Sequence, residues 1–390
     1  MTRNMVRIGD VCTVVSGSTP KTSVAEYWDG DIKWITPAEL TEDTFYLHDS
    51  VRHITELGKE KTGLTYMPCG TVILSSRAPI GKTAIIACEM CCNQGFKNLI
   101  CSDKIFNEYL YFFLSAKTKY LNSLGRGATF KEISKAIVEN IMIPLPCIEQ
   151  QKQIAARFAQ IDDLIKLRRG QLQQLDQLVK SRFIELFGEV ETNDKGFVMK
   201  RMDECCKFVG GAQPDKSHFE YEKTDDNIRL IQIRDYKSDR FVTYIPKLLA
   251  RKTCTASDIM IGRYGPPIFQ ILGGIEGAYN VALMKAMPTA EFNAEYFRYF
   301  LKSEKLLHYL ESFSQRTAGQ DGIQIDKLNA YPCFVPPMDL QNQFAAFVEQ
   351  TDKLKFAVQN AADLQIMLIL NLANYHWKHR ASVSDKGVKL

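Results

Sequence analysis

Apolar residues along this chain change their spacing in a set order, and the order occurs twice. The first part holds short apolar runs divided by turn residues. Ile32-Lys33-Trp34-Ile35, Thr71-Val72-Ile73-Leu74 and Thr83-Ala84-Ile85-Ile86 are rich in β-branched side chains and read as strands. An amphipathic helix is expected over about 107–121, with Asn107 suited to its N-cap. Pro144-Leu145-Pro146 then stops local structure, and the spacing turns helical. Ile154, Phe158, Ile161, Ile165, Leu172, Leu175, Val179, Phe183 and Leu186 recur in steps of three and four, broken once at Arg168 and Arg169. The second half repeats the order. Ile228–Ile233 and Asp258–Ile261 read as strands, and a helix from Asn293 covers about 293–311. After Pro336-Pro337 comes a second stripe: Phe344, Phe347, Val348, Leu354, Val358, Ala361, Leu364, Met367, Leu368 and Leu372.

Residue identities repeat as well. Arg7-Ile8-Gly9-Asp10-Val11-Cys12 leading to Ser16-Gly17-Ser18-Thr19-Pro20 is matched by Arg201-Met202-Asp203-Glu204-Cys205-Cys206 leading to Gly210-Gly211-Ala212-Gln213-Pro214. Gln151-Lys152-Gln153-Ile154-Ala155-Ala156 returns as Gln341-Asn342-Gln343-Phe344-Ala345-Ala346. The predicted class is α+β. Two mixed α/β domains are separated by two long antiparallel helices that form an intramolecular coiled coil, with pseudo-two-fold symmetry. Each helix would reach about 55–60 Å at 1.5 Å per residue, and neither can bury its stripe alone. Gly170 is the weak point of the first helix, costing about 1 kcal/mol against Ala. The expected divisions are a mixed domain over 1–146, a helix over 147–188, a second domain over 189–337, a second helix over 338–380 and a frayed tail over 381–390. Gly188–Gly196 is the polar linker between copies. A surface presented twice suits a two-part target such as a split DNA site.

Composition narrows the classes. Over 390 residues, 45% hydrophobic and 24% charged content describes an ordinary globular chain. A net charge of +4 is too small to establish nucleic-acid binding by itself. No apolar run appears long enough to cross a bilayer, and Met1-Thr2-Arg3-Asn4-Met5 lacks a signal-peptide core, so no membrane is expected. Eleven cysteines read as free thiols in a reducing cytoplasm. Cys88-x-x-Cys91-Cys92 with Cys101 has neither a second pair nor a neighbouring His to complete a zinc set. Gly81-Lys82-Thr83 resembles the end of a P-loop, but Ser76 stands where its first glycine belongs. Pro214-Asp215 is not followed by the Glu-x-Lys of a nuclease. Pro336-Pro337-Met338 lacks the Asn/Asp and the aromatic residue that hold the target amine in adenine methyltransferases. His376 and His379 read as a solvated helix face. The expectation is a binder with no catalytic residue, no metal and no cofactor of its own.

Pro144-Leu145-Pro146-Cys147-Ile148-Glu149-Gln150-Gln151-Lys152-Gln153-Ile154-Ala155 resembles the specificity subunits of type I restriction–modification systems. There a proline-rich stop precedes a Glu-Gln-x-x-Ile-Ala helix start, and the helix ends near a Phe-Gly, here Phe187-Gly188. Gly127-Ala128-Thr129-Phe130-Lys131-Glu132-Ile133-Ser134, Ile261-Gly262-Arg263-Tyr264-Gly265 and Gly277-Ala278-Tyr279-Asn280-Val281-Ala282-Leu283 are similar to recognition-domain patterns of that family. Copy two departs at its helix start, where Asp339-Leu340-Gln341-Asn342-Gln343-Phe344 lacks the Glu and has Phe for Ile. The resemblance implies two target recognition domains, each reading one half of a bipartite double-stranded DNA site, with the helices as spacers. It implies two modification (methyltransferase) subunits as partners, carrying SAM for adenine-N6 methylation, and restriction subunits on the same scaffold.

On that basis the DNA-contact candidates are loop residues. In copy one they are Lys21, Arg77, Lys82, Asn93, Gln94, Lys97, Arg126 and Lys131. In copy two they are Gln213, Lys216, Arg263, Tyr264, Asn280, Arg316 and Gln320. Arg suits guanine and Asn or Gln suits adenine in the major groove, whereas Lys suits phosphate. Gln151, Arg157, Arg168 and Arg169 are the candidates for meeting the modification subunits. The competing reading is a coiled-coil adaptor that binds proteins rather than DNA.

Overall fold

The computed structural model describes residues 4–377 apart from 42, 78, 128–130, 266 and 314–321. Two compact units result: Met1–Gln171 with Val358–Leu390, and Leu172–Ala357. Both divisions fall inside the long helices Ile148–Phe187 and Met338–Trp377, each of 40 residues.

The first unit contains β1 (Met5–Arg7), β2 (Cys12–Ser16), β3 (Trp28–Ile35), β4 (Tyr46–Leu47), β5 (Arg52–Ile54), β6 (Val72–Ser75), β7 (Thr83–Ile86), β8 (Cys91–Cys92), β9 (Phe96–Cys101) and β10 (Met142–Pro144). Its main sheet runs β2-β9-β6-β7-β4, beside a smaller β5-β3-β8 sheet and the β1-β10 pair. Successive side chains point to opposite faces, so the central strands serve two cores. Val72, Leu74, Ile85 and Leu99 pack under the helices, while Ile73, Ala84, Ile86 and Phe96 fill a second core with Ile35 and Cys92. The helix expected over 107–121 is two pieces, Asn107–Ser115 and Thr118–Leu124. Asn107 lies inside the first piece, which is preceded by Phe106, so it is not the N-cap.

The second unit repeats the plan with β11 (Val198–Arg201), β12 (Cys206–Gly210), β13 (Asn227–Ile231), β14 (Tyr244–Pro246), β15 (Thr253–Cys254), β16 (Ile259–Gly262), β17 (Gln270–Gly273), β18 (Gly277–Tyr279), β19 (Leu283–Pro288) and β20 (Pro332–Val335). Sheet β12-β19-β16-β17 corresponds to β2-β9-β6-β7, and the parallel pair β13·β18 corresponds to β3·β8. Here Asn293 is the N-cap, its side chain accepting from the Glu295 and Tyr296 amides.

Each unit is completed by one end of each long helix, running antiparallel. In the first unit, Phe158 near the start of one helix stacks on Trp377 at the end of the other, 4.7 Å between centroids. In the second, Phe183 and Phe187 at the end of the first helix meet Phe344 at the start of the second, at 5.3 and 5.7 Å. The inner stripe of the first helix matches expectation, and Arg168 is half-buried at the place the spacing requires. The second stripe needs correction. Leu354, Leu364, Met367 and Leu368 are exposed. The inward places are Phe344, Val348, Thr351, Lys355, Val358, Ala362, Gln365, Ile369, Ala373 and Trp377. This helix is apolar on two faces, so small and polar residues on the inner one were masked by larger ones outside. An 18-residue window within it reaches a mean hydropathy of 1.3, with 11% of it buried. By length and composition it could cross a membrane, which corrects the expectation that no apolar run is long enough.

All eleven cysteines are unpaired thiols. Among the described residues no group of three His, Cys, Asp or Glu side chains could hold a metal, and His379 lies outside them.

Candidate nucleic-acid interface

Loops at one end of each main sheet are tied together by backbone bonds. In the first unit, Gly17 N–H donates to Phe96 O at 3.3 Å, Ser18 N–H to Cys92 O at 3.0 Å and Ser76 N–H to Gly95 O at 2.7 Å. Ile133 N–H closes on Ser76 O at 2.9 Å. A Cβ on Gly17 would lie 2.1 Å from the Asn93 carbonyl oxygen, so only glycine permits this approach. Two indoles secure the loop after β2. Trp34 Nε1 donates to Ser18 O at 3.1 Å and Trp28 Nε1 to Lys21 O at 3.2 Å, with the Arg52 guanidinium 3.7 Å over the Trp28 ring. The second unit repeats three of these backbone bonds. Gly211 N–H donates to Leu283 O at 3.0 Å, Ala212 N–H to Tyr279 O at 3.1 Å and Arg263 N–H to Ala282 O at 2.9 Å. A Cβ on Gly211 would lie 2.0 Å from the Asn280 oxygen. Burial pushes the Tyr279 phenol up to about 12, so it stays neutral and donates to Val209 O.

The candidates separate on this frame. Lys21, Gln94, Arg126, Lys131, Gln213 and Lys216 are exposed. Arg77, Lys82, Arg263 and Tyr264 are half-buried. Lys82 donates its ammonium to Leu40 O, and one Arg263 nitrogen reaches Val281 O at 3.3 Å, with its guanidinium 5.3 Å from the Tyr264 ring. Three candidates are bonded into the fold, Lys97 and Asn280 buried and Asn93 half-buried. Lys97 is buried, paired with Glu132 at 3.1 Å and with Ser76 Oγ at 3.3 Å. Asn93 donates to Thr19 Oγ1 at 2.9 Å and accepts from Gly95 N–H at 2.8 Å. Asn280 is buried and accepts from Ala282 N–H at 3.1 Å. Arg316 and Gln320 lie outside the described residues.

Sequence reasoning missed Arg234, on the short turn Ile233–Tyr236. It lines a hollow of about 710 Å³ with Tyr221, Lys223, Arg240, Phe241 and Tyr244. The available signal was the Gln232-x-x-Asp235 capping box, which fixes a turn immediately after β13.

Among the partner candidates, Arg157 is exposed, Arg168 donates to Gln171 at 3.4 Å and Arg169 pairs with Asp43 at 3.0 Å. Gln151 has no exposed surface, which corrects its placement on a docking face. Its Oε1 accepts from Phe106 N–H at 2.8 Å, and its Nε2 donates to Lys104 O at 3.0 Å and Pro146 O at 2.9 Å. Gln341 makes the same three bonds, from Asn293 N–H at 2.8 Å and to Glu291 O at 2.9 Å and Pro336 O at 2.8 Å. Each glutamine thus fastens the start of a long helix to the mixed α/β portion of its unit.

Residues 2–177 match the family described as type I restriction modification DNA specificity domain. The chain is 35% identical to the type I restriction enzyme MjaIX specificity subunit of Methanocaldococcus jannaschii over 234 residues, covering 55% of this chain and 54% of that subunit. Identity to the EcoprrI specificity subunit of Escherichia coli is 19%, over 94% of this chain and 92% of that one. With 54% of MjaIX and 45% of the related MjaVIII subunit covered, the chain spans about half the length of these archaeal relatives. In fold it is similar to the type I restriction–modification S subunit from M. genitalium, with a TM-score of 0.57 at 12% identity over 97% of this chain and 98% of that one. It is also similar to a chain from a structure of type I R-M complex assembly, with a TM-score of 0.60 at 18% identity over 96% and 97%.

Proposed function

We propose that the chain is a member of the family of type I restriction–modification specificity subunits and the non-catalytic DNA-reading subunit of such an enzyme. One recognition domain, within 1–146, reads one half of a bipartite duplex site, and the other, within 189–337, reads the second half. The helical segments over 147–188 and 338–380 set the spacer and dock two modification subunits. Those partners carry SAM and methylate adenine, restriction subunits join the same scaffold, and the assembly works in the cytoplasm.

The repeated loop frame carries this reading. The same backbone bonds are built twice, while the side chains at the loop tips differ between copies. Phosphate contact falls to exposed Lys21, Lys131 and Lys216, which position without specifying. The second helix supports the docking role, since Leu364, Met367 and Leu368 form an exposed apolar face beside the inner stripe. The adaptor reading has no comparable observation in its favour.

Salt tests the function. With five or six phosphate contacts, affinity of the assembled complex for a duplex carrying its site is expected to fall roughly 500–2,000-fold between about 50 and 200 mM salt. Fluorescence anisotropy on a labelled duplex measures it. Binding that holds constant over that range would support an apolar protein interface in place of DNA reading.

A further inference from the structure

Matching bonds place the loops of the two units in one-to-one correspondence. Asn93 N–H donates to Ile35 O and Asn280 N–H to Ile231 O, which aligns the ends of β3 and β13. Thr36 with Glu39 and Gln232 with Asp235 form the same capping box on the following turn, so Ala38 and Arg234 occupy one position. The amide bonds of Ser76 to Gly95 and Arg263 to Ala282 align those loops, and the isolated bridges Arg77 to Glu132 and Tyr264 to Gly322 extend the match. Gln94 and Val281 then correspond, each following the asparagine that locks its loop. Residues that hold the frame are alike in the two copies: Gly17 and Gly211, Asn93 and Asn280, and the two capping boxes. Three of these positions change chemical class at accessible tips, Ala38 to Arg234, Arg77 to Tyr264 and Gln94 to Val281, and the fourth exchanges buried Ser76, whose hydroxyl donates to Gly95 O, for half-buried Arg263.

We infer that the positions 38/234, 77/264 and 94/281, together with Arg263 in the second unit, determine specificity, with Arg263 reading a guanine in the half-site of the second unit and Gln94 an adenine in that of the first. The inference rests on the DNA-reading function proposed above. The bonds of Gly17 to Phe96, Ser18 to Cys92 and Ser76 to Gly95 recur in the second unit as Gly211 to Leu283, Ala212 to Tyr279 and Arg263 to Ala282, and none of them requires the exchange of amide, guanidinium and apolar groups at 38/234, 77/264 and 94/281. Arg263 is suited to the role. Its backbone is fixed, one terminal nitrogen is tied to Val281 O, and Nε is buried without an acceptor. Among the described residues Arg77, Arg234 and Arg263 make no salt bridge, although Asp239 lines the same hollow as Arg234, whose guanidinium donates to Thr243 Oγ1 at 3.1 Å. A half-buried, immobilised guanidinium retains a planar donor edge that matches guanine O6 and N7. Gln94 is exposed between clamped neighbours, so its amide is held out on a rigid loop, where it can pair with adenine N6 and N7. Val281, at the same position in the second unit, is 42% exposed and offers only apolar contact, which suits a thymine methyl.

The test maps N6-methyladenine in cells that co-express the modification subunit with the unsubstituted chain, Arg263→Lys or Gln94→Ala. Arg263→Lys keeps the charge and loses the bidentate fork. It is expected to relax one G·C position about 5–150-fold in one half-site, leaving the other half-site and the spacer unchanged. Gln94→Ala, at an exposed loop tip that the fold does not need, relaxes one A·T position in the other half-site. An unchanged motif, uniformly weaker methylation with no relaxed position, or both relaxed positions in the same half-site would overturn the inference. If the unsubstituted chain directs no split motif, it is the DNA-reading function itself that fails.

Discussion

Replacing Trp377 with alanine is expected to remove about 3–5 kcal/mol from the stability of the first unit. Trp377 is fully enclosed, although it sits in the last turn of its helix. It stacks on Phe158 and lies edge-on to Phe113 at 5.7 Å and Tyr109 at 6.0 Å. Its indole N–H donates to Tyr109 Oη at 3.1 Å, and its carbonyl accepts from Lys117 Nζ at 3.2 Å. Truncation therefore opens a cavity in the aromatic core and removes a buried hydrogen bond. Hydrogen exchange reads the loss, with amides over 358–377 losing protection while those over 338–357 keep theirs. A loss under about 1 kcal/mol would show that the cavity collapses and that Trp377 is not the anchor.

Gln151→Leu is the second large effect. The substitution nearly preserves shape, so the expected cost is mainly polar. Phe106 N–H and the carbonyls of Lys104 and Pro146 lose their partner at a site closed to solvent. Three bonds at about 1 kcal/mol each, with the added cost of a buried donor left unpaired, give roughly 3–5 kcal/mol. Gln341→Leu should cost the second unit a similar amount, because its three bonds are the same. The two glutamines share no partner, so the double variant should be additive within about 0.5 kcal/mol by urea denaturation. A cost below about 1 kcal/mol for either would mean that water replaces the clamp.

The repeat and the long helices were legible because they rest on local spacing and on residue identities. Gly17 and Gly211 announced the frame by recurring in the same context, and the structure supplies the reason in the carbonyl each one touches. The inner face of Met338–Trp377 was not legible, since Leu364, Met367 and Leu368 are larger than the Thr351 and Ala362 that turn inward. Lys97 looked like a loop cation because its counter-ion, Glu132, arrives from a distant segment. Gln151 looked like a surface residue at a helix start, because its three partners come from flanking turns that spacing does not bring together. Arg234 stood unnoticed in a four-residue turn whose role appears only once β13 is placed beside β18.

Genome-wide mapping of N6-methyladenine, with the modification subunit expressed and this chain present or deleted, addresses the central claim most directly. The account predicts a split motif with a fixed spacer that disappears when the chain is deleted. Assembly of the complex with no chain-dependent methylated motif would contradict it.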